Sequence, residues 1–156
     1  MAANAVKAGS KAPDFELDDQ NEKKFRLSDF RGKKVLLSFH PLAWTGVCAK
    51  QMQSLEANFD EFGKLNAIAV GVNVDSVPSK KAWADSLGIS KTRLLADFWP
   101  HGGVAQKFGI FREREGFSER ANVIIGSDGK AAFFKVYPIG DLPDIREILA
   151  KIKEIG

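Results

Sequence analysis

Cysteine is almost missing from this chain. Cys48 stands alone among 156 residues, which excludes a disulfide within the chain and any all-cysteine metal cluster, and fits a reducing compartment. Histidine is nearly as scarce. His40 and His101, far apart in sequence, make with one cysteine a poor ligand set, so neither metal nor cofactor is expected. No Gly-x-Ser-x-Gly elbow occurs, which sets hydrolase chemistry aside. No apolar run approaches the roughly 20 residues needed to span a bilayer, and Met1-Ala2-Ala3-Asn4 lacks the apolar core of a signal peptide. Charge of one sign is not concentrated either: 23 basic and 20 acidic residues are spread along the sequence for a net +3, so neither nucleic acid nor a membrane is indicated as a partner. The pairs Lys23-Lys24, Lys33-Lys34 and Lys80-Lys81 read as solvated surface. These absences together predict a soluble cytoplasmic protein.

An apolar content of 44% with 28% charged residues is enough for one sizeable core, and a single domain over residues 1–156 is expected, with no repeat or linker. Phe15-Glu16-Leu17 and Phe25-Arg26-Leu27 alternate around the turn-prone Asp18-Asp19-Gln20-Asn21, the pattern of a short N-terminal hairpin. Residues 34–39 form a buried-strand pattern. Met52, Leu55, Phe59 and Phe62 then recur at helical spacing, with Gly63 placed to close that helix. The β-branched run 67–74 precedes Ser76, a candidate cap for a helix carrying Ala82, Trp83 and Leu87. Leu94-Leu95-Ala96 is a further strand and 104–108 a short helix. Strands 121–125 and 131–136 flank Asp128-Gly129, a strong hairpin signal. Ile145, Ile148, Leu149, Ile152 and Ile155 mark a terminal amphipathic helix, with Pro143 near its first turn. The order predicts an α/β protein of three layers with a central mixed sheet.

The chemistry concentrates in Pro41-Leu42-Ala43-Trp44-Thr45-Gly46-Val47-Cys48, where a strand delivers the lone thiol to a helix start. The unpaired N–H groups and positive dipole end of a helix favour a thiolate. Each residue also has a plainer reading. Cys48 lies four residues before Met52 and fits a buried structural cysteine. Thr45, one turn earlier, fits an N-cap as well as a hydroxyl partner for sulfur or a bound oxygen. Pro41 fits a proline that only pins the loop before a helix. His40 is most simply structural.

Together, Pro41, Thr45 and Cys48 resemble the peroxiredoxin active-site pattern of proline, three residues, threonine or serine, two residues, cysteine. The similarity continues in Ala12-Pro13-Asp14-Phe15, Val74-Asp75-Ser76, the segment from Ala96 to Gly102, and Phe117-Ser118-Glu119-Arg120-Ala121. It implies a thioredoxin-like fold and a one-cysteine peroxidase in which peroxide oxidises Cys48 to a sulfenic acid. The resemblance gives Arg120 the task of holding the thiolate and polarising peroxide; its plainer alternative is a surface ion pair with Glu115 or Glu119. Backbone N–H groups of Val47 and Cys48, with Thr45 and Arg120, would bind the peroxide oxygens. With no second cysteine in the chain, the reductant would be an external thiol or thioredoxin-like protein, and a homodimer is implied. Gln51 departs from the family, where many relatives carry glutamate. The main alternatives are a thiol-disulfide oxidoreductase, which lacks its second cysteine here, and a redox sensor or holdase-like protein switched by oxidation of Cys48.

Overall fold

The computed structural model describes residues 6–155, so the reading of Met1 to Asn4 lies outside the described residues. In chain order the elements are β1 (Glu16–Asp18), β2 (Lys24–Arg26), a 3-10 turn (Leu27–Phe30), β3 (Lys34–Phe39), α1 (Gly46–Ala57), α2 (Phe59–Lys64), β4 (Ala67–Asn73), α3 (Val77–Leu87), β5 (Arg93–Ala96), α4 (Gly103–Lys107), β6 (Phe111–Arg112), β7 (Phe117–Ser118), β8 (Arg120–Ile125), β9 (Ala131–Tyr137) and α5 (Ile145–Ile155). The main sheet runs β5-β4-β3-β8-β9. Its β3, β4 and β5 are parallel, and β8 and β9 join antiparallel. The expected mixed sheet and both hairpins are present.

Local chemistry explains the connections. Asp19 Oδ1 accepts the N–H groups of Asn21 and Lys23 at 2.8 and 3.1 Å, closing the β1–β2 turn with its own side chain. Ser76 caps α3 by accepting the Ser79 N–H. Gly129 takes φ +82° in the β8–β9 turn, where an L side chain is strained. The helix expected to end at Gly63 instead breaks at Asn58, whose N–H bonds back to the Leu55 carbonyl. A second short helix runs through Gly63 to Lys64, and Asn66, at φ +55°, turns the chain into β4. The small β6–β7 hairpin had no signal strong enough to predict it.

Period-two alternation divides the sheet's side chains between two faces. One face is apolar except for Arg93 at its edge, which pairs with Asp19: Val35, Leu37, Phe39, Val70, Val72, Leu95, Ala121 and Val123 pack with Phe15 and Phe25 of the N-terminal region and Val104 and Phe108 at α4. The other begins apolar, with Leu36, Ala69, Leu94 and Ile124 under Met52, Leu55, Phe62, Trp83, Ile148 and Ile152 of the remaining helices. Towards the end of β3 it turns polar, with Ser38 two residues past Leu36, Asn73 four past Ala69 and Asn122 two before Ile124, all buried. That polar tier lies at the end of β3 from which the chain enters α1.

Two of the lysines assigned to solvent are buried. Lys34 reaches the Ile152 carbonyl in the last turn of α5 at 3.1 Å, a favourable end of that helix for a cation. Lys80 is fully buried because it occupies the same helix face as Trp83 and Ala84, three and four residues on.

Gly71 sits in the middle of β4 where α1 presses closest. A Cβ there would overlap Met52 Sδ and approach Leu94 Cδ2 to 3.0 Å and His40 Cε1 to 3.3 Å. Gly71→Ala is therefore expected to destabilise the fold by about 1–3 kcal/mol through overpacking. Urea unfolding checks this, and an unchanged midpoint would contradict the close packing described.

Candidate active site

The site is built where β3 ends and α1 begins. The ladder continues one residue past β3, with the His40 N–H bonding to the Val72 carbonyl at 3.1 Å, and the buried Pro41 then turns the chain. Three contacts fix this turn. Ala43 N–H donates to Asp75 Oδ2 at 2.8 Å, Trp44 Nε1 donates to Ser79 Oγ at 3.1 Å, and Thr45 Oγ1 donates to the Leu42 carbonyl at 2.7 Å. Trp44 is held at φ +67°, an uncommon conformation for a non-glycine residue. Thr45 occupies the N-cap position, yet its side chain caps no N–H and its proton goes to Leu42. The hydroxyl therefore neither caps the helix nor bonds to the sulfur here, and of the suggested roles the contact with a bound oxygen would fall to its lone pairs.

Cys48 is the third residue of α1, among the N–H groups that have no partner within the helix. It is only 1% exposed. Arg120, the first residue of β8, brings Nη1 to 3.3 Å from Sγ. The register explains the meeting: Phe39 pairs with Ala121, so Arg120 stands beside the residue that leaves β3. The same Nη1 donates to Gln51 Oε1 at 2.8 Å, while Nε donates to the Ile139 carbonyl at 2.9 Å. Gln51 in turn donates through Nε2 to Ser38 Oγ and to the Phe39 carbonyl, at 2.7 and 3.1 Å. Glu115 and Glu119, the acids considered as surface partners for Arg120, face Arg112 instead. Arg120 is 4% exposed, and among the described residues it makes no ion pair with a carboxylate.

Beneath the loop lies a second polar group that sequence reasoning did not assemble. Lys80 Nζ donates to Asn73 Oδ1, and Asn73 Nδ2 donates to Asp75 Oδ2 at 2.6 Å. Burial pushes the Lys80 ammonium down to about 7, against the charges of Asp75, Cys48 and Asp97, which favour its protonated form. His40 is fully buried, its ring 5.6 Å from that of Trp83. Burial first, then the charges of Lys80 and Arg120, hold its pKa well below the usual range. The imidazole is therefore neutral, with Nδ1 against the Ser38 carbonyl at 3.2 Å and Nε2 without a partner. Burial also pushes Asp97 up to about 6, although it accepts the N–H groups of Val104 and Ala105 at the start of α4. The available signal was a set of polar residues, Ser38, His40, Asn73 and Asn122, recurring at alternate positions of otherwise apolar strands. His101, by contrast, is exposed and bonds only to the Gly116 carbonyl at 2.7 Å.

A lone thiol in the first turn of the helix after a central strand of a thioredoxin-like sheet, backed by a buried guanidinium, is an arrangement suited to the chemistry of thiol oxidoreductases. The chain belongs to the AhpC/TSA family, which it matches over residues 8–133, and it is a peroxiredoxin, a thiol-dependent peroxidase. It is 37% identical over 142 residues to alkyl hydroperoxide reductase E of Mycobacterium tuberculosis, covering 90% of this chain and 92% of that one. It is 32% identical to mouse peroxiredoxin-2, covering 95% and 77% of the two chains. Among solved structures, the reduced 2-Cys peroxiredoxin of Plasmodium vivax superposes with a TM-score of 0.87 at 28% identity, covering 95% of this chain and 81% of that one. AhpC of Enterococcus faecalis gives a TM-score of 0.87 at 27% identity, with 96% and 92% covered.

Lys80 predicts a pH dependence of stability. The unfolded lysine titrates near its ordinary value of 10.5 and the folded one near 7, so between these values the unfolded chain binds more protons and stability rises with pH. Lys80→Met removes that rise. Urea unfolding of both proteins across this window checks it: the difference in stability between wild type and variant should shift in favour of wild type as pH rises, and a constant difference would contradict the buried lysine.

Proposed function

We propose that Cys48 is the peroxidatic residue and Arg120 its principal partner, a reading carried by the buried Sγ to Nη1 contact of 3.3 Å. The sulfur attacks the nearer peroxide oxygen; the S–O bond forms as the O–O bond breaks, and the departing oxygen takes a proton to leave as water or an alcohol. Cys48 becomes a sulfenic acid. Arg120 and the N–H groups of Val47 and Cys48 stabilise the charge as it moves from sulfur to the departing oxygen. Thr45, its own proton committed to Leu42, offers lone pairs to the peroxide O–H. To Pro41, buried and lacking an N–H, we assign the pinning of the loop and the shielding of the sulfur from water.

These 156 residues contain no second cysteine, so an external thiol or thioredoxin-like protein is the reductant we assign, in a reducing compartment such as the cytoplasm. Among the described residues no helix is long and apolar enough to cross a membrane. Trp44, Phe98 and Trp99 are exposed large apolar groups, and we assign them to contact with a second copy of the chain, as a homodimer.

Reaction of the reduced protein with limiting hydrogen peroxide, followed by tryptophan fluorescence and by trapping of the sulfenic acid, tests the reading. Cys48→Ser is expected to abolish turnover, and Arg120→Gln to slow oxidation about 100- to 1,000-fold, the usual loss for one preorganised donor. Retained turnover in the serine variant would defeat the mechanism. A single oxidation without sustained turnover under a thiol reductant would favour the redox sensor.

A further inference from the structure

Lys80 lies on the buried stripe of α3 with Trp83 and Ala84, a position where an ammonium group is costly unless something compensates it. Its compensation leads to the catalytic loop. Lys80 Nζ donates to Asn73 Oδ1; Asn73 Nδ2 donates to Asp75 Oδ2 at 2.6 Å; the same Asp75 oxygen accepts the Ala43 N–H at 2.8 Å. Three hydrogen bonds thus connect a buried cation to the backbone that presents Cys48. Among the described residues Lys80 has no direct carboxylate partner, and the charges that favour its protonated form are Asp75, Cys48 and Asp97.

We propose that Lys80 is a positioning residue for Cys48: through Asn73 and Asp75 it fixes the loop that delivers the sulfur, and its ammonium adds a second buried positive charge to that of Arg120. The inference rests on Cys48 being the reactive thiol. The groups facing Lys80 are His40 from β3, Asn73 and Asp75 at the end of β4, Asp97 after β5 and Cys48 from α1, with Arg120 beyond them on β8. His40 is neutral, so it neither replaces nor cancels the lysine charge. The coupling is reciprocal. Charge on sulfur favours the protonated lysine, and the protonated lysine favours charge on sulfur. The titration of Lys80 near 7 places the loss of this support close to neutral pH.

The test compares wild type, Lys80→Met and Asp75→Asn by the rate constant for hydrogen peroxide per thiolate, on both sides of neutral pH. The thiolate is measured separately, from its ultraviolet absorbance relative to Cys48→Ser. In wild type the rate per thiolate should fall as pH rises through the Lys80 titration. In Asp75→Asn, which keeps an acceptor for Ala43 but removes a charge holding the lysine proton, that fall should move to lower pH by about one unit. In Lys80→Met the fall should vanish, the rate below neutral pH should drop about tenfold, and the thiolate should appear at higher pH. The absorbance measurement needs no peroxide, so its failure is distinguishable from failure of the peroxidase reading. A uniform loss of rate with unmoved pH dependence in both variants would make Lys80 a structural prop and overturn the proposal. Should Lys80→Met fail to fold, an unmoved profile in Asp75→Asn overturns it alone.

Discussion

A guanidinium taken out of water without a carboxylate beside it is the constraint around which this molecule is organised. An isolated buried charge of this kind costs several kcal/mol unless hydrogen bonds and a counter-charge offset it. Among the described residues Arg120 has three acceptors: the Ile139 carbonyl, Gln51 Oε1 and Cys48 Sγ. Two are neutral, and only the sulfur can carry a negative charge. Gln51 matters here because it satisfies a donor of Arg120 without neutralising it. A carboxylate at that position would give the guanidinium a second counter-charge, whereas the amide leaves the sulfur as its anionic partner.

The rest of the fold is what brings these groups together. Arg120 and Cys48 lie 72 positions apart, and only the β3–β8 register, with Phe39 opposite Ala121, places the start of one strand beside the end of the other. A slip by one residue would turn Arg120 to the opposite face, away from Cys48 and into the core that holds Phe39 and Ala121. The polar tier on the helix-covered face serves the same arrangement: Ser38 accepts from Gln51, and Asn73 connects Lys80 to Asp75. Ser38 and Asn73 are each bonded by a helix that also contributes to the core, through Gln51 and Lys80, while Asn122 bonds to Tyr137 of β9, so stability and site geometry rest on the same packing.

The strands, the order of helices and the position of Cys48 were legible in the sequence because they depend on local signals: apolar runs, period-two alternation, Asp-Gly and Ser caps. Arg120 was legible only through resemblance, since nothing local distinguishes it from Arg112 or Arg114. Lys80 was misread because a Lys-Lys pair resembles surface, although its spacing to Trp83 already placed it on the buried stripe. The break at Asn58 escaped for a different reason: the apolar spacing continues through it, and the bend is decided by how α2 packs on β4. Thr45 shows the remaining limit. Its place at the helix start follows from sequence, but which oxygen receives its proton depends on a turn conformation set by Trp44 and by contacts to α3.

The same arrangement bears on turnover. In the proposed cycle the thiolate state pairs the buried guanidinium with a charge, and a sulfenic acid that keeps its proton does not. Oxidation therefore leaves Arg120 with hydrogen bonds but no counter-charge, and the folded protein is relatively less stable in that form. Whatever stability is lost on oxidation is regained when an external thiol restores Cys48, so folding itself favours regeneration, as in other thiol enzymes whose reduced form is stabilised by their surroundings. In the proposed cycle one cysteine suffices because the sheet and helices fix Arg120 in place around the sulfur, whose change of charge is felt by the guanidinium and, through it and the loop, by the rest of the packing.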